Sequence, residues 1–205
     1  MPLNRERVLD EAQRLVDDEG LDKLSVRSLA TRLNVQAPTL YWHVKSKAEL
    51  LDALADAIMD EAIAATPQPE DDGDGRVWLL EALGALRSAL LSHRDGARIV
   101  SGSRDSLRRG DFTELAMATL VRHGTDLQRA RLQVLVAERF TVGWVLEEQA
   151  PPPDGPGPDP EELLARFPVA TKAIGDYFSG TGRTRDDLFR DGARLVLQIP
   201  APTMP

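Results

Sequence analysis

The segment from residue 127 to residue 149 constrains the fold more than any other part of the chain. Its helical periodicity places apolar side chains around most of the circumference: Leu132, Val134, Leu135, Val136, Phe140, Val142, Trp144, Val145 and Leu146. A helix that is apolar on most sides must be covered on most sides. The segment therefore predicts either the central helix of a helical domain or a helix that packs partly on another subunit.

Helical patterns also account for nearly all of the remaining chain. Apolar spacing, N-cap residues and helix breakers predict about ten helices, at 4–19, 26–33, 36–43, 46–64, 76–92, 95–102, 108–122, 127–149, 161–179 and 185–199. Asn34 stands at the break between the second and third helices, where a residue that tolerates left-handed dihedral angles is expected. We expect an all-α fold.

Two segments rich in proline and glycine interrupt this pattern. The acidic stretch from Thr66 to Gly75 separates the first four helices from the rest. We therefore predict an N-terminal domain at 1–47, a connecting helix at 48–66 and a larger C-terminal domain at 67–205. The stretch from Ala150 to Pro160 contains six prolines and is expected to be an irregular surface connector.

The charge is distributed unevenly along the chain. The formal net charge is -8, yet residues 23–48 contain no acidic side chain and five basic ones, namely Lys23, Arg27, Arg32, Lys45 and Lys47. A local basic face suits phosphate binding, and an acidic remainder discourages non-specific coating of DNA. A stretch of this length can also lack acids by chance, so the charge is supporting evidence only.

Several classes of function find no residues to support them. Cysteine is absent, which excludes disulfides and thiolate chemistry, and His43, His93 and His123 lack the spacing of a zinc site. Neither a Gly-rich phosphate loop nor a paired nucleophile and base is found, so we expect no enzyme, no metal and no cofactor. The N-terminus lacks a secretory signal and no apolar run approaches the ~20 residues that span a bilayer, which predicts a cytoplasmic protein without membrane contact.

The helices at 26–33 and 36–43, joined by a tight break, form a candidate helix-turn-helix. In this motif the N-terminal residues of the second helix face base edges in the major groove, and flanking residues fix the register through phosphates. Thr39 offers a hydroxyl and a methyl group, and Pro38 offers an apolar surface that suits a thymine methyl. The predicted DNA-contact residues are Arg27, Gln36, Ala37, Pro38, Thr39, Tyr41, His43 and Lys47.

The aromatic and basic residues of this region receive individual interpretations. Tyr41 and His43 carry polar tips on rigid rings that can reach base edges. Arg27 is predicted to contact a guanine or a phosphate, and Lys47 a phosphate. Trp42 is predicted to pack within the small N-terminal domain rather than to stack on bases.

The segment from Leu3 to Ile58 closely resembles the DNA-binding domain of TetR-family repressors. The resemblance lies in the phrase APTLYWHVKSKAELL, with Gly20, Leu29, Ala30 and Leu33 correctly spaced upstream. Further along, HRDGARIVSGSR (93–104) and FTVGWVLEEQ (140–149) resemble the C-terminal domain of the tetracycline-repressor branch of that family. The resemblance covers most of the chain and is weakest after Ala150.

This resemblance implies a homodimer whose partners are a double-stranded DNA operator and a small-molecule effector. Two DNA-binding domains related by a two-fold axis imply a palindromic operator, and the connecting helix would transmit effector binding to them. The implied interface is a four-helix bundle made by the 127–149 helix and the last helix of each subunit. Its candidate residues are Leu132, Leu135, Val136, Leu188, Leu195, Val196 and Ile199.

The chain departs from the tetracycline-repressor pattern at the effector site. The resemblance places Val100 and Arg139 where that branch has histidines, and it places Ile63, Ala82 and Ala116 where that branch has polar drug contacts. Glu147 alone is retained, and one carboxylate is a poor site for a hard cation. We therefore expect an effector other than a tetracycline–magnesium complex.

The replaced residues predict a more apolar effector pocket with one basic side chain. Its candidate lining residues are Leu86, Val100, Ala116, Met117, Arg139, Trp144 and Glu147. In one interpretation Arg139 and Glu147 orient the ligand, and in the other they belong to a buried ion-pair network that only stabilises the domain. The absence of a polar side chain at Ala37 further suggests an altered operator sequence.

Other functions remain open at this point. One is a DNA-binding regulator that responds to no ligand or that activates transcription. A more distant one is a helical enzyme or binding module, which leaves the phrase LYWHVKSK unexplained.

Overall fold

The computed structural model describes residues 3–152 and 155–200. Over these residues the chain forms eleven α-helices and one 3-10 turn, without a β-strand, which confirms the all-α fold class. The elements are α1 (Arg5–Glu19), a 3-10 turn (Leu21–Lys23), α2 (Val26–Arg32), α3 (Ala37–Leu40), α4 (Lys47–Ala65), α5 (Gly75–Ser92), α6 (Gly96–Gly102), α7 (Leu107–Arg122), α8 (Leu127–Glu148), α9 (Pro160–Arg166), α10 (Pro168–Phe178) and α11 (Arg185–Leu197).

The first three helices and the 3-10 turn form a small unit that we call the head. Asn4 and Ser25 cap α1 and α2, since each side chain accepts a hydrogen bond from a backbone N–H of the first turn. Asn34 adopts a φ of 53° at the break between α2 and α3, as the sequence predicted. The head core consists of fully buried apolar side chains, among them Val8, Leu15, Val16, Leu29, Leu40 and Val44.

The third helix is shorter than the predicted range of 36–43. It ends at Leu40, and residues 41–43 form a turn. The N–H groups of His43 and Val44 both donate to the Leu40 carbonyl, at 2.8 and 2.9 Å, so the chain tightens and leaves the helical path. Leu40 and Val44, at the two ends of this turn, are both buried.

The helices α4 to α8 and α11 form a larger unit that we call the body. One face of α8 is buried against the other body helices through Ala130, Val134, Ala137, Thr141 and Val145. The opposite side of α8 exposes four apolar side chains, namely Leu132, Leu135, Val136 and Leu146. Helix α8 is therefore covered on one side only within a single chain.

Helix α11 is held to the other body helices by an aromatic cluster. The rings of Phe140, Trp144 and Phe189 lie with their centroids 5.3 to 5.8 Å apart. The close packing of α11 against α8 depends on a glycine at position 192, because a Cβ atom there would lie 2.8 Å from the Phe140 ring. The Arg87 guanidinium lies 5.0 Å from the Phe189 ring centroid and completes the cluster.

The predicted helix at 161–179 is divided in two. Pro168 begins α10, and because proline has no N–H and disfavours a helical conformation at the preceding residue, α9 ends at Arg166. Within the described chain, neither α9 nor α10 contains a buried residue, and they expose Leu164, Phe167, Val169 and Ile174. We call these two helices the arm.

The connector predicted at 150–160 lies between α8 and α9. Residues 150–152 and 155–159 adopt no helix, Pro160 starts α9, and Pro153 and Asp154 lie outside the described residues. Among the helices that the structure describes, none combines the length and the apolar character needed to cross a membrane.

Candidate functional site

The recognition segment, residues 36–43, presents most of its predicted DNA contacts to solvent. Gln36, Pro38, Thr39 and Tyr41 are exposed, and Ala37 and His43 are half-buried. The segment is anchored to the head by Leu40 and Val44, whose side chains are fully buried in the head core. A short, rigidly anchored segment with outward polar groups has the geometry that base reading in a groove requires.

The prediction that Trp42 packs inside the head is wrong. The side chain of Trp42 is 89% exposed, because Leu40 and Val44 are buried in the head and residue 42, midway between them, lies on the outside. An exposed indole next to Thr39 and Tyr41 belongs to the same surface as the predicted DNA contacts. Its ring offers a large apolar area and one N–H donor to a partner.

The cations around the recognition segment fall into two groups. Lys23, Arg27, Lys45 and Lys47 are exposed, and in the described part of the chain no carboxylate lies within 4 Å of their charged groups. Arg32 differs, because its guanidinium contacts Glu11 and Asp18 at 2.7 Å and Glu19 at 3.0 Å. Arg32 thus joins α2 to α1, and the basic surface predicted from sequence consists of the other four cations.

The head is bonded to the body where α6 begins. Arg94 donates to the Asp18 carbonyl at 2.8 Å, and Asp95 accepts the N–H of Leu21 at 2.8 Å. Arg98 bridges Asp95 and Asp22, at 2.8 and 2.7 Å. These contacts join α6 directly to the end of α1 and to the 3-10 turn, so a displacement of α6 reaches the head.

A second set of contacts joins α4 to the loop between α6 and α7 through Asp52 and Asp56, which we call the aspartate ladder. Four-residue spacing places these two carboxylates on one face of α4 together with Asp60, whose partner Arg108 lies on α7 rather than in the loop. Asp52 accepts the Ser103 hydroxyl at 2.7 Å, and Asp56 accepts the Ser106 hydroxyl at 2.7 Å. Asp60 pairs with the Arg108 guanidinium at 2.9 Å.

Asp52 accepts more hydrogen bonds than Asp56. Asp52 also accepts the backbone N–H groups of Arg104 and Asp105, at 3.1 and 3.3 Å. The hydrogen bond from Ser103 and these two N–H groups lower the pKa of Asp52 below its usual 3.8, although burial opposes the change. Asp52 is therefore held as a carboxylate that fixes the start of the loop.

The same loop forms one wall of a pocket of about 530 Å³, which α7 and α8 complete. We call it the arginine pocket, because four arginines line it together with a single carboxylate. Its lining consists of Arg104, Ser106, Arg109, Gly110, Thr113, Met117, Arg131, Leu135, Glu138 and Arg139.

The carboxylate of this pocket is already partnered. Glu138 is only 6% exposed and accepts the Thr113 hydroxyl at 2.6 Å, while the Nε atom of Arg109 lies 3.9 Å away. Burial raises the pKa of Glu138, and the contacts with Thr113 and Arg109 partly oppose that rise. Of the charged groups in the pocket, the arginines other than Arg109 are the ones still open to a ligand.

The seven effector-site residues predicted from sequence do not share one pocket in the single chain. Met117 and Arg139 line the arginine pocket. Leu86, Val100 and Ala116 are buried in the body core. Trp144 belongs to the aromatic cluster, and Glu147 is exposed on the surface.

The two interpretations of Arg139 and Glu147 both placed these side chains together. In the single chain both are exposed, and the hydrogen bond of Arg139 runs to the Leu135 carbonyl at 3.3 Å. Sequence reasoning missed Arg104, Arg109, Arg131 and Glu138 as pocket residues. A signal for part of this set was present, because Arg131, Leu135 and Arg139 follow at four-residue spacing on one face of α8.

A larger depression of about 660 Å³ lies where α5 begins and α7 meets α8. Its charged groups are partnered within the chain: Arg76 with Asp74, Arg129 with Gln198, and His123 with two backbone carbonyls. It therefore offers a ligand fewer open charged groups than the arginine pocket. Over residues 3–152 and 155–200, no three His, Asp or Glu side chains are placed so that they could hold a metal ion.

The predicted dimer residues lie on two helices of the body, except Ile199, which follows the end of α11 at Leu197. Leu132, Leu135 and Val136 on α8 and Leu195 on α11 are exposed apolar side chains. Leu188, Val196 and Ile199 are half-buried. Leu135 also lines the arginine pocket, so the pocket borders this apolar surface.

Comparison with known proteins gives matches over nearly the whole chain. Residues 8–54 match the family described as "Bacterial regulatory proteins, tetR family", and residues 66–198 match "Tetracyclin repressor-like, C-terminal domain". The chain is 40% identical over 203 residues to the tetracycline repressor protein class C of Escherichia coli, which covers 95% of this chain and 89% of that protein.

Two solved structures resemble the fold. The TetR-family protein ActR of Streptomyces coelicolor, in complex with (S)-DNPA, aligns with a TM-score of 0.77 and 27% identity, over 97% of each chain. BioQ in complex with its natural double-stranded DNA operator aligns with a TM-score of 0.64 and 27% identity, over 95% of this chain and 99% of that one. One similar protein is thus seen with a small molecule and another with DNA.

Proposed function

Because this chain belongs to the TetR family of transcriptional regulators, we propose that it is a repressor that binds a palindromic operator as a homodimer and is released by a small-molecule effector. The observation that carries the proposal is the recognition segment, whose polar side chains are exposed on a head that is bonded to the body. The family and its relatives are transcriptional regulators, not enzymes. We expect the protein to act in the cytoplasm, where its operator is.

In this proposal residues 1–47 bind DNA, residues 48–66 connect, and residues 67–205 bind the effector and form the dimer. Gln36, Thr39, Tyr41 and His43 reach base edges, and Ala37 and Pro38 supply apolar contact. Lys47 contacts a phosphate, which gives affinity without sequence preference, and Arg27 contacts either a guanine or a phosphate.

The proposed dimer forms through the uncovered side of α8 and through α11. The exposed leucines and valine of these helices are the apolar surface that a four-helix bundle between two subunits would cover. Two heads held by such a bundle present two recognition segments to successive turns of one face of the DNA. The operator is therefore expected to be palindromic.

Release requires that the effector prefer a conformation in which the two heads no longer fit the operator. The aspartate ladder supports this, because it bonds the pocket loop to α4, the helix that leads into the head. The contacts of Arg94 and Asp95 with the end of α1 provide a second connection. A ligand that moves the loop between α6 and α7 therefore acts directly on the first connection, and on the second through α6.

We propose that the effector is not a tetracycline–magnesium complex. Val100 has no atom that binds a metal, and it is buried in the body core. Glu147, the carboxylate that the chain shares with the tetracycline-repressor branch, is exposed and lines no wall of the arginine pocket. Magnesium binds through several oxygen ligands in a strict geometry, and one carboxylate is insufficient.

The test is selection of bound sequences from a random duplex pool, followed by measurement of affinity against salt concentration. A palindromic site that is bound by a dimer, with affinity falling steeply as salt rises, is the expected result. Thr39→Ala should weaken binding to that site by about 1–3 kcal/mol, whereas Thr181→Ala, an exposed position in the segment after the arm, should not. If a folded dimer enriches no sequence, DNA recognition is refuted. If DNA binds but no small molecule ever releases it, the regulator acts without ligand control.

A further inference from the structure

The proposed function leaves the chemical class of the effector open. The charged residues of the arginine pocket restrict that class. We propose that the effector is a small organic anion, carrying a carboxylate or phosphate group on an apolar body, and that Arg104, Arg131 and Arg139 bind its charged group. This inference rests on the proposed function, because it assigns a ligand class to the same regulator.

The first argument is charge. The pocket brings four arginines from three separate segments around one carboxylate, in a chain whose formal net charge is -8. Among the residues that the structure describes, no carboxylate lies within 4 Å of the guanidinium groups of Arg104, Arg131 and Arg139. These groups are therefore open to a ligand. A local cationic pocket in an acidic protein concentrates and orients anions at one place.

The second argument is the state of the carboxylate. Glu138 is buried, its Oε1 atom accepts the Thr113 hydroxyl and its Oε2 atom lies 3.9 Å from Arg109 Nε, so both oxygens face groups of the chain itself. It does not provide a free site for a cationic ligand. It instead fixes Arg109 and Thr113 in the pocket wall, and the surplus of positive charge remains on the other three arginines.

The third argument is shape and apolar surface. A volume of about 530 Å³ falls within the ~300–1,000 Å³ typical of pockets for small molecules. Met117 and Leu135 give the pocket apolar walls, which suit the body of a ligand rather than an inorganic ion. Planar guanidinium groups bind carboxylates and phosphates through pairs of hydrogen bonds, which adds geometric selectivity to the charge.

The location of the pocket explains how an anion would act. Arg104 lies in the loop whose N–H groups and hydroxyls are held by the aspartate ladder, while Arg131 and Arg139 lie on α8. An anion that binds Arg104 and the α8 arginines together pulls the loop towards α8. That movement competes with the bonds from the loop to Asp52 and Asp56 and so changes the position of α4.

The experiment uses calorimetric titration of the full-length protein with 1-naphthoate, 1-naphthyl phosphate and the neutral 1-naphthamide. At least one of the two anions should bind about tenfold or more tightly than the amide, since charge-assisted hydrogen bonds are roughly twice as strong as those between neutral groups. The carboxylate and phosphate arms show which anion the pocket prefers. The preferred anion should also release the selected operator duplex.

A matched pair of variants tests the site. R104Q/R139Q should weaken binding of the preferred anion about tenfold or more, and R122Q/R166Q, which removes the same charge from exposed positions outside the pocket, should leave it within about twofold. The inference is overturned if neither anion binds better than the amide, if R104Q/R139Q binds it unchanged, or if binding does not affect the operator complex. Operator binding by the ligand-free protein is measured in the same preparation, so a failed inference is distinguished from a failed proposed function.

Discussion

Replacing Asp52 tests whether the pocket loop is held by the aspartate ladder. In Asp52→Ala the buried Ser103 hydroxyl, 5% exposed, loses its acceptor, and the N–H groups of Arg104 and Asp105 lose theirs. In Asp52→Asn an acceptor oxygen remains for Ser103, but the negative charge is lost. The two variants therefore separate the hydrogen-bond acceptor from the charge.

The expected magnitudes follow from these contacts. Leaving a buried hydroxyl unpaired costs ~1–3 kcal/mol, and the two N–H groups, which lie near the surface, can turn to water. We expect Asp52→Ala to lower the free energy of unfolding by about 2–3 kcal/mol and Asp52→Asn by about 1 kcal/mol, because charge-assisted hydrogen bonds are roughly twice as strong as neutral ones. In a chain of this size the alanine variant should melt roughly 4–12 °C lower.

Urea unfolding at neutral pH measures these values, with Asp60→Ala as the matched control. Asp60 forms an exposed ion pair with Arg108, and such pairs contribute about 0–1 kcal/mol. Because the pKa of Asp52 is lowered below 3.8 in the folded state, the charge-dependent stabilisation is complete above pH 3.8 and is lost as pH falls below it. Equal losses in Asp52→Ala and Asp60→Ala, or a difference between wild type and Asp52→Asn that persists in acid, would refute the ladder.

Three further predictions concern single residues. Gly96→Ala should lower the free energy of unfolding, measured in urea, by about 2 kcal/mol or more, because the added Cβ would lie 2.3 Å from the Leu90 carbonyl oxygen. Gly84→Ala is the control: no atom lies within 4 Å of its added Cβ, so it should be neutral or stabilise the protein by up to about 1 kcal/mol. Equal effects of the two substitutions would contradict the steric explanation. Both ring nitrogens of His123 face carbonyl oxygens, which favours the protonated ring and raises its pKa above 6.5. The stabilisation from the protonated ring should be present below pH 6.5 and disappear as pH rises through the folded pKa. His123→Gln should therefore remove this pH dependence of the melting temperature, and a pH profile that the variant leaves unchanged would count against the prediction. Trp42→Ala should weaken operator binding in fluorescence anisotropy without changing the free energy of unfolding, because the indole is 89% exposed; a loss of stability instead would place the side chain in the head core.

The sequence predicted the features of the fold that depend on neighbouring residues. Asn4 caps α1, Ser25 caps α2 and Asn34 takes a left-handed conformation, because each of these depends on a few adjacent residues. The short α3 and the break at Pro168 were missed. In the first case residues 41–43 include no glycine or proline that would indicate the end of a helix. In the second, the helical patterns on both sides of Pro168 were interpreted as one continuous helix.

The candidate site was harder to predict because its contacts join distant parts of the chain. Asp52 and Ser103 are 51 residues apart, and no local pattern connects them. The sequence showed that Arg139 stands in place of a histidine, but not that Arg104, Arg109 and Arg131 share its pocket. The family resemblance predicted Glu147 as the carboxylate of the site, whereas the buried carboxylate is Glu138. The sequence does not show this burial, because it depends on how α7 packs on α8.

The arm differs from the rest of the chain in what it demands of its sequence. None of the residues in α9 and α10 belongs to the core, and the arm contacts the body mainly through Tyr177, which donates to Asp191 at 2.8 Å. Substitutions in the arm therefore carry little penalty in folding free energy, in contrast to substitutions near Asp52 or Gly96. Sequence change can therefore accumulate in this segment during evolution with less effect on folding than in the core.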